Sequence, residues 1–168
     1  MQQNTLLIFF ISAIALIGGI FVQPLPIKEQ AALPALEINL PDVSGTQRSL
    51  SEWQGKIRII NFWATWCPPC LKEIPEFVKL QNEYPTIQFI GIAIEDKQLA
   101  KQYLLNNPVN YPMLIGGEQA ISLSQQLGNI VNAVPFSLII NQQGQIIHRH
   151  PGELSREKIL EIIIPILP

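Results

Sequence analysis

Cys67 and Cys70 are the two cysteines of the chain, with Pro68 and Pro69 between them. They follow Trp63-Ala64-Thr65-Trp66 at the end of an apolar, β-branched run and open a stretch with helical period. At a helix N-terminus, unpaired backbone N–H groups and the positive end of the helix dipole favour a thiolate at Cys67. Cys70, one turn further in, is close enough for the two sulfurs to bond. Pro68 and Pro69 fit a first helical turn, where no intrahelical N–H bond is lost, and they stiffen the connection. The chemistry this spacing points to is thiolate attack on a disulfide, passing through a mixed disulfide. Cys67 is then the exposed nucleophile and Cys70 the resolving thiol. Two other uses of the pair compete. A purely structural disulfide requires no strand-to-helix placement, and closing so short a loop gives little entropic stabilisation. A structural zinc site takes a full tetrahedral ligand set. His148 and His150, which share one strand face, would have to complete it; a polar edge strand near a turn instead leaves such rings solvated.

Glu73 lies three residues beyond Cys70. On the helical wheel it falls between Phe77 and Leu80, inside the apolar arc with Cys70 and away from the charged stripe. A carboxylate in such surroundings is disfavoured as the anion, so its pKa rises. An acid so placed can take and return the proton of the resolving thiol. The plainer alternative is a boundary residue that reaches water and merely favours the helix N-terminus.

These residues need a strand and a helix to hold them. Ile57 to Trp63 reads as a buried parallel strand. Pro68 to Glu83 reads as a helix, with Leu71, Ile74, Phe77, Val78 and Leu80 on one half and Lys72, Glu76, Lys79 and Glu83 opposite. Two further β-α passages follow: strand Ile87–Ile94 with helix Lys97–Asn106, and strand Tyr111–Ile115 with helix Glu118–Leu127. Val134–Ile140 and Gln145–His150 flank a hairpin turn at Asn141-Gln142-Gln143-Gly144. Ser155 caps the last helix, its capping box left incomplete by Lys158. Upstream, Ala35–Leu40 is a first edge strand, Gln47–Leu50 a returning strand, and Ser51-Glu52-Trp53 a short helical turn. The fold class is α/β, a mixed central sheet flanked by helices. The chain has 168 residues, 48% hydrophobic and 14% charged, which excludes a disordered segment. Eleven Lys and Arg against thirteen Asp and Glu give a net charge of -2. No basic surplus exists to neutralise phosphates, so nucleic acid is not an expected partner.

No Asp, Glu, Lys or Arg precedes Lys28, and Thr5 to Val22 is an uncharged apolar run. As a helix it reaches roughly 27 Å, marginally enough to cross a hydrocarbon core. A removable leader wants a charged first segment, a shorter apolar run and a small-x-small cleavage site, none of which is evident. Residues 1–22 are therefore expected to be an uncleaved signal anchor, 23–41 a Pro-rich spacer, and 42–168 a single translocated domain.

The run Asn61 to Glu73 (NFWATWCPPCLKE), Pro75 and Val134-Pro135 together resemble the thioredoxin superfamily, and within it the membrane-anchored TlpA/ResA-type thiol-disulfide oxidoreductases. The resemblance covers roughly Leu36 to Leu160. It implies a thioredoxin-like fold with a βα insertion, placed around Lys97 to Ile115, and a domain on the periplasmic side of a bacterial cytoplasmic membrane. It implies Cys67 and Cys70 as the redox pair, Glu73 as the acid of this branch, Pro75 as a helix-kinking proline and Pro135 as a cis-proline beside the site. On sequence alone Pro135 reads as an ordinary trans proline at a strand start; the resemblance makes it cis. Val134 then offers its backbone to an extended substrate segment by strand addition. Trp66 and Pro68 belong to the docking surface, and Trp63 and Trp66 pack around the pair and limit water. The redox-active disulfide is the working group, with no other cofactor. The implied partners are protein disulfides, apocytochrome c foremost with oxidase-assembly factors behind it, and a DsbD/CcdA-type transmembrane thiol reductase as electron donor.

The chain also departs from the superfamily. Cytosolic thioredoxins carry a buried Asp where this chain has Asn61, which cannot ionise and leaves Glu73 as the acid near the pair. The residues before Pro135 do not match the usual sequence of the cytochrome c branch. Two other activities share this fold. A thiol peroxidase places Pro and Thr or Ser where Ile60 and Ala64 stand. A copper-handling protein usually spaces its cysteines one residue wider than Cys67 and Cys70.

Overall fold

The computed structural model describes residues 38–167. The expected anchor over 1–22 and most of the spacer lie outside the described residues, and among the described residues no helix is long and apolar enough to cross a membrane.

A five-stranded mixed sheet carries the fold, in the order β5-β4-β3-β6-β7. Its strands are β3 (Ile57–Trp63), β4 (Ile87–Ala93), β5 (Met113–Ile115), β6 (Phe136–Ile140) and β7 (Ile146–Pro151). β3 is central, parallel to β4 and antiparallel to β6. Every residue of β3 is buried, including the polar Arg58 and Asn61, as in a strand covered on both faces. The helices are α1 (Pro68–Glu83), α2 (Lys97–Asn106), α3 (Gly117–Gln126) and α4 (Arg156–Ile163). A separate ribbon of β1 (Asn39–Pro41) and β2 (Gln47–Ser49) touches the sheet edge through a bridge between Asp42 and Leu114.

Strand parity divides the interior in two. Ile57, Ile59 and Trp63 of β3 join Phe89 of β4, Ile139 of β6, and Ile74, Phe77 and Leu80 of α1 on one face, with Ile159 and Ile163 of α4. Ile60, Phe62, Ile90, Ile92 and Leu138 point to the other face, against Leu40, Leu50, Trp53, Ala120 and Leu127. Full burial of each such side chain stabilises the fold by about 1.5–3 kcal/mol. Since Asn61 has the parity of Ile59 and Trp63, it points to the α1 side.

β3, α1 and α2 occupy the stretches read from sequence. Elsewhere the limits move by a few residues. The first strand is paired from Asn39, positions 35–37 of its expected span lying outside the described residues, and its residues, assigned to the spacer, include the fully buried Leu40. β5 and β6 start at Met113 and Phe136 because Pro112 and Pro135 cannot donate to a ladder. The helical turn over Leu50–Trp53 has a full capping box from Ser49 and Glu52, a signal the sequence reading missed. Ser155 caps α4 by accepting from the Lys158 amide, so the cap works without its reciprocal half.

Candidate active site

The site forms where β3 ends and α1 begins. Cys67 is the N-cap of α1, and its Sγ accepts the Cys70 amide at 3.3 Å, where a Ser or Asp oxygen would sit. Pro68 and Pro69 occupy the first helical positions and bring no N–H, so Cys70 supplies the first donor available to that sulfur. The two sulfurs are bonded, with Cα atoms 5.3 Å apart. Cys70 is fully buried. Cys67, expected to be exposed, keeps only 3% of its surface because its sulfur is turned inward to the disulfide and the helix end. Pro68 is exposed, and Trp66 stands 64% exposed beside the pair. The two tryptophans therefore do not share the screening role expected of both: Trp63 is fully buried, and Trp66 presents its indole to solvent.

Glu73 is 3% exposed, which removes the boundary alternative. Burial pushes its carboxyl up to about 7, against partial relief from two donors and with Glu153 adding to the rise. The donors are the Leu154 amide to Oε2 at 2.9 Å and Asn61 Nδ2 to Oε1 at 2.6 Å. Asn61 also donates to Ser137 Oγ at 3.0 Å, directly across the β3–β6 ladder. The residue that replaces an ionisable Asp is thus the group that holds Glu73 in place.

The Val134–Pro135 peptide is cis. Val134 makes no backbone hydrogen bond to any other described residue, which leaves its N–H and C=O available for an added strand. The loop between β7 and α4 joins these parts. Gly152, at φ +91°, donates its amide to Pro135 O at 2.8 Å, two residues before the Leu154 amide reaches Glu73. A side chain at that left-handed position would be strained. Between them Glu153 pairs with Lys72 of α1 at 2.8 Å.

One acid was missed. Glu95, just beyond β4, is 8% exposed, and its carboxylate accepts the Thr65 amide and the Thr65 hydroxyl, each at 2.8 Å. Glu73 is therefore not alone near the pair. The signal is the β3–β4 register, which pairs Trp63 with Ala93 and makes the residues two beyond each strand end neighbours; neither strand shows it alone. The histidine alternative also changes. His148 and His150 stack on β7 with ring centroids 5.8 Å apart, but the Nε2 of His148 is buried without a partner, so that half-buried ring is solvated only in part. Burial, then His150 and Lys158, hold its pKa below the ordinary value. Among the described residues no cluster of three or more His, Cys, Asp or Glu comes together to hold a metal ion.

The redoxin family profile matches residues 28–163. The thiol-disulfide oxidoreductase ResA of Halalkalibacterium halodurans is 28% identical over 83% of this chain and 78% of its own. The protein of that name from Bacillus thuringiensis subsp. konkukian is 30% identical over 76% of this chain and 73% of its own. A thioredoxin-family thiol:disulfide interchange protein from Chlorobium tepidum superposes with a TM-score of 0.71 at 29% identity, covering 80% of this chain and 96% of the other.

Proposed function

The chain belongs to the redoxin family and is a thiol-disulfide oxidoreductase of thioredoxin-like fold, and from that premise we propose that it reduces protein disulfides on the outer side of the bacterial cytoplasmic membrane. The observation that carries this reading is the pairing of a sulfur at a helix N-cap with a buried, proton-holding acid one turn behind its partner.

In the reduced enzyme, the Cys67 thiolate attacks one sulfur of a substrate disulfide held along the free backbone of Val134. A mixed disulfide forms, and the first substrate sulfur leaves as a thiolate. Cys70 gives its proton to the Glu73 carboxylate and attacks the Cys67 sulfur. The Cys67–Cys70 bond closes and the second substrate sulfur leaves. The substrate gains two electrons and, with protons from Glu73 and solvent, two thiols; the enzyme ends as the disulfide described above. Recharging needs a dithiol donor, for which a DsbD/CcdA-type transmembrane reductase is the fitting class, because an oxidising compartment supplies none. Residues 1–22 serve as the anchor. Apocytochrome c is the first substrate in this reading, with oxidase-assembly factors second.

A Cys70→Ser variant tests it, since the mixed disulfide through Cys67 then cannot resolve. The expected result is a covalent, reductant-sensitive complex with a cysteine-bearing extracytoplasmic protein, absent from a Cys67→Ser/Cys70→Ser control. Equal capture by that control, or none by the single variant, overturns the assignment.

A further inference from the structure

We propose that Glu95 is a positioning residue for Cys67, acting through the turn that delivers the sulfur to the helix N-terminus. The proposal rests on Cys67 being the attacking sulfur. Parallel register sets the contact: Trp63 lies opposite Ala93, the Ile94 amide donates to Trp63 O at 3.0 Å, and the next residues outward on each side are Thr65 and Glu95. Glu95 Oε1 takes the Thr65 amide and Oε2 the Thr65 hydroxyl. Among the described residues no cation pairs with this carboxylate and no other donor reaches it, although it is 8% exposed. Burying a carboxylate is costly unless hydrogen bonds compensate, and here both oxygens are committed to one residue of one loop. That residue is the second of a four-residue turn, Ala64-Thr65-Trp66-Cys67, closed by the Cys67 amide on Ala64 O at 3.2 Å. With Thr65 gripped at amide and hydroxyl, the turn has one orientation. It points Trp66 outward and sets Cys67 as the cap, with its sulfur on the Cys70 amide. Loss of the grip leaves the Thr65 donors unpaired and lets the sulfur drift from the only helix donor that the two prolines leave within its reach. A small misplacement of a nucleophile is enough to cost an order of magnitude in rate.

The test compares Glu95→Ala with Glu95→Gln in the reduced full-length chain. Gln can preserve both contacts, its carbonyl accepting the Thr65 amide and its NH₂ donating to the Thr65 hydroxyl, while the charge is removed. The readouts are the pH profile of Cys67 alkylation by iodoacetamide, with the modified cysteine assigned by mass spectrometry, and kcat and KM for insulin reduction. For the Ala variant the expected result is a roughly tenfold fall in the alkylation plateau and in kcat, with KM within about twofold. The Gln variant should stay within about twofold of wild type in all of them. A residue that only supports the fold would lower the melting temperature and leave these rates per folded molecule unchanged. Should Glu95→Ala fail to fold, Thr65→Val removes the hydroxyl contact and keeps the amide one, and a roughly threefold fall is expected. Wild-type rates in folded Ala or Val chains overturn the proposal, as do Gln and Ala variants that fall alike, since the charge would then be what matters. Alkylation of Cys70 instead in the wild-type chain overturns the assignment of Cys67 itself, and the two failures are therefore distinct.

Discussion

A sulfur at an N-cap is stabilised as the anion by whichever amides can reach it, and the second and third helical positions are the ones that do. In this chain Pro69 removes the second, so Cys67 leans on the Cys70 amide. Replacing Pro69 by Ala restores a donor aimed at the sulfur. A hydrogen bond to a charged group contributes about 1.5–3 kcal/mol, so the Cys67 thiol should become clearly more acidic. Thiolate ultraviolet absorbance against pH checks this, and an unshifted titration would show that the sulfur does not use that amide. Glu73 sets a second, opposite electrostatic condition. Its carboxyl is held up to about 7 against an ordinary 4.5, first by burial. Between those two values the folded chain keeps a proton that the unfolded chain has released. The stability this contributes is fully present below 4.5 and is lost as the pH rises through about 7, a change of roughly 3 kcal/mol. Urea unfolding of the oxidised protein should therefore show stability declining from acid to neutral pH, and Glu73→Gln should flatten that decline.

The helix that carries both groups is fixed by its apolar face. Phe77 stacks on Phe89 of β4 at 5.1 Å between ring centroids, and both are buried. Truncating Phe77 to Ala should cost roughly 3–5 kcal/mol by chemical denaturation, and it should loosen the placement of Glu73 one turn away. At this scale the sequence was most legible where one pattern dominated. A mostly apolar run rich in isoleucine and aromatic residues defines β3, and a clean amphipathic period with prolines at its start defines α1. Cys67, Cys70 and Glu73 all ride on those two elements, and the wheel alone placed Glu73 inside. The limits blurred at β5 and β6, where a proline stops the ladder but leaves the apolar run intact. The partners of Glu73 were harder to read. Asn61 follows from strand parity once β3 and α1 are known to face each other, but the Leu154 amide lies far along the chain in a loop with no pattern. Glu95 shows the same limit: it needs the β3–β4 register, and register is a property of two strands, not of one.

Whether the molecule donates or accepts electrons is a property of the whole fold. Reduction and unfolding form a closed cycle, so the disulfide's preference in the folded over the unfolded chain equals the stability difference between oxidised and reduced protein. Linking residues only three apart contributes about 2 kcal/mol at most through chain entropy; anything beyond must come from what the fold does to the thiolate. One feature favours the reduced form, namely the N-cap position of Cys67. Others oppose it: the prolines at the first helical positions, which remove amide donors, and the burial of both sulfurs, which disfavours a negative charge on either. The balance lies with the disulfide. Oxidised protein should therefore resist urea at neutral pH more than reduced protein, by about 2 kcal/mol or more. A strong oxidant has the reverse order, because its reduced form is the stabilised one. Finding the reduced chain the more stable of the two would leave the redox pair intact and reverse the direction in which it works.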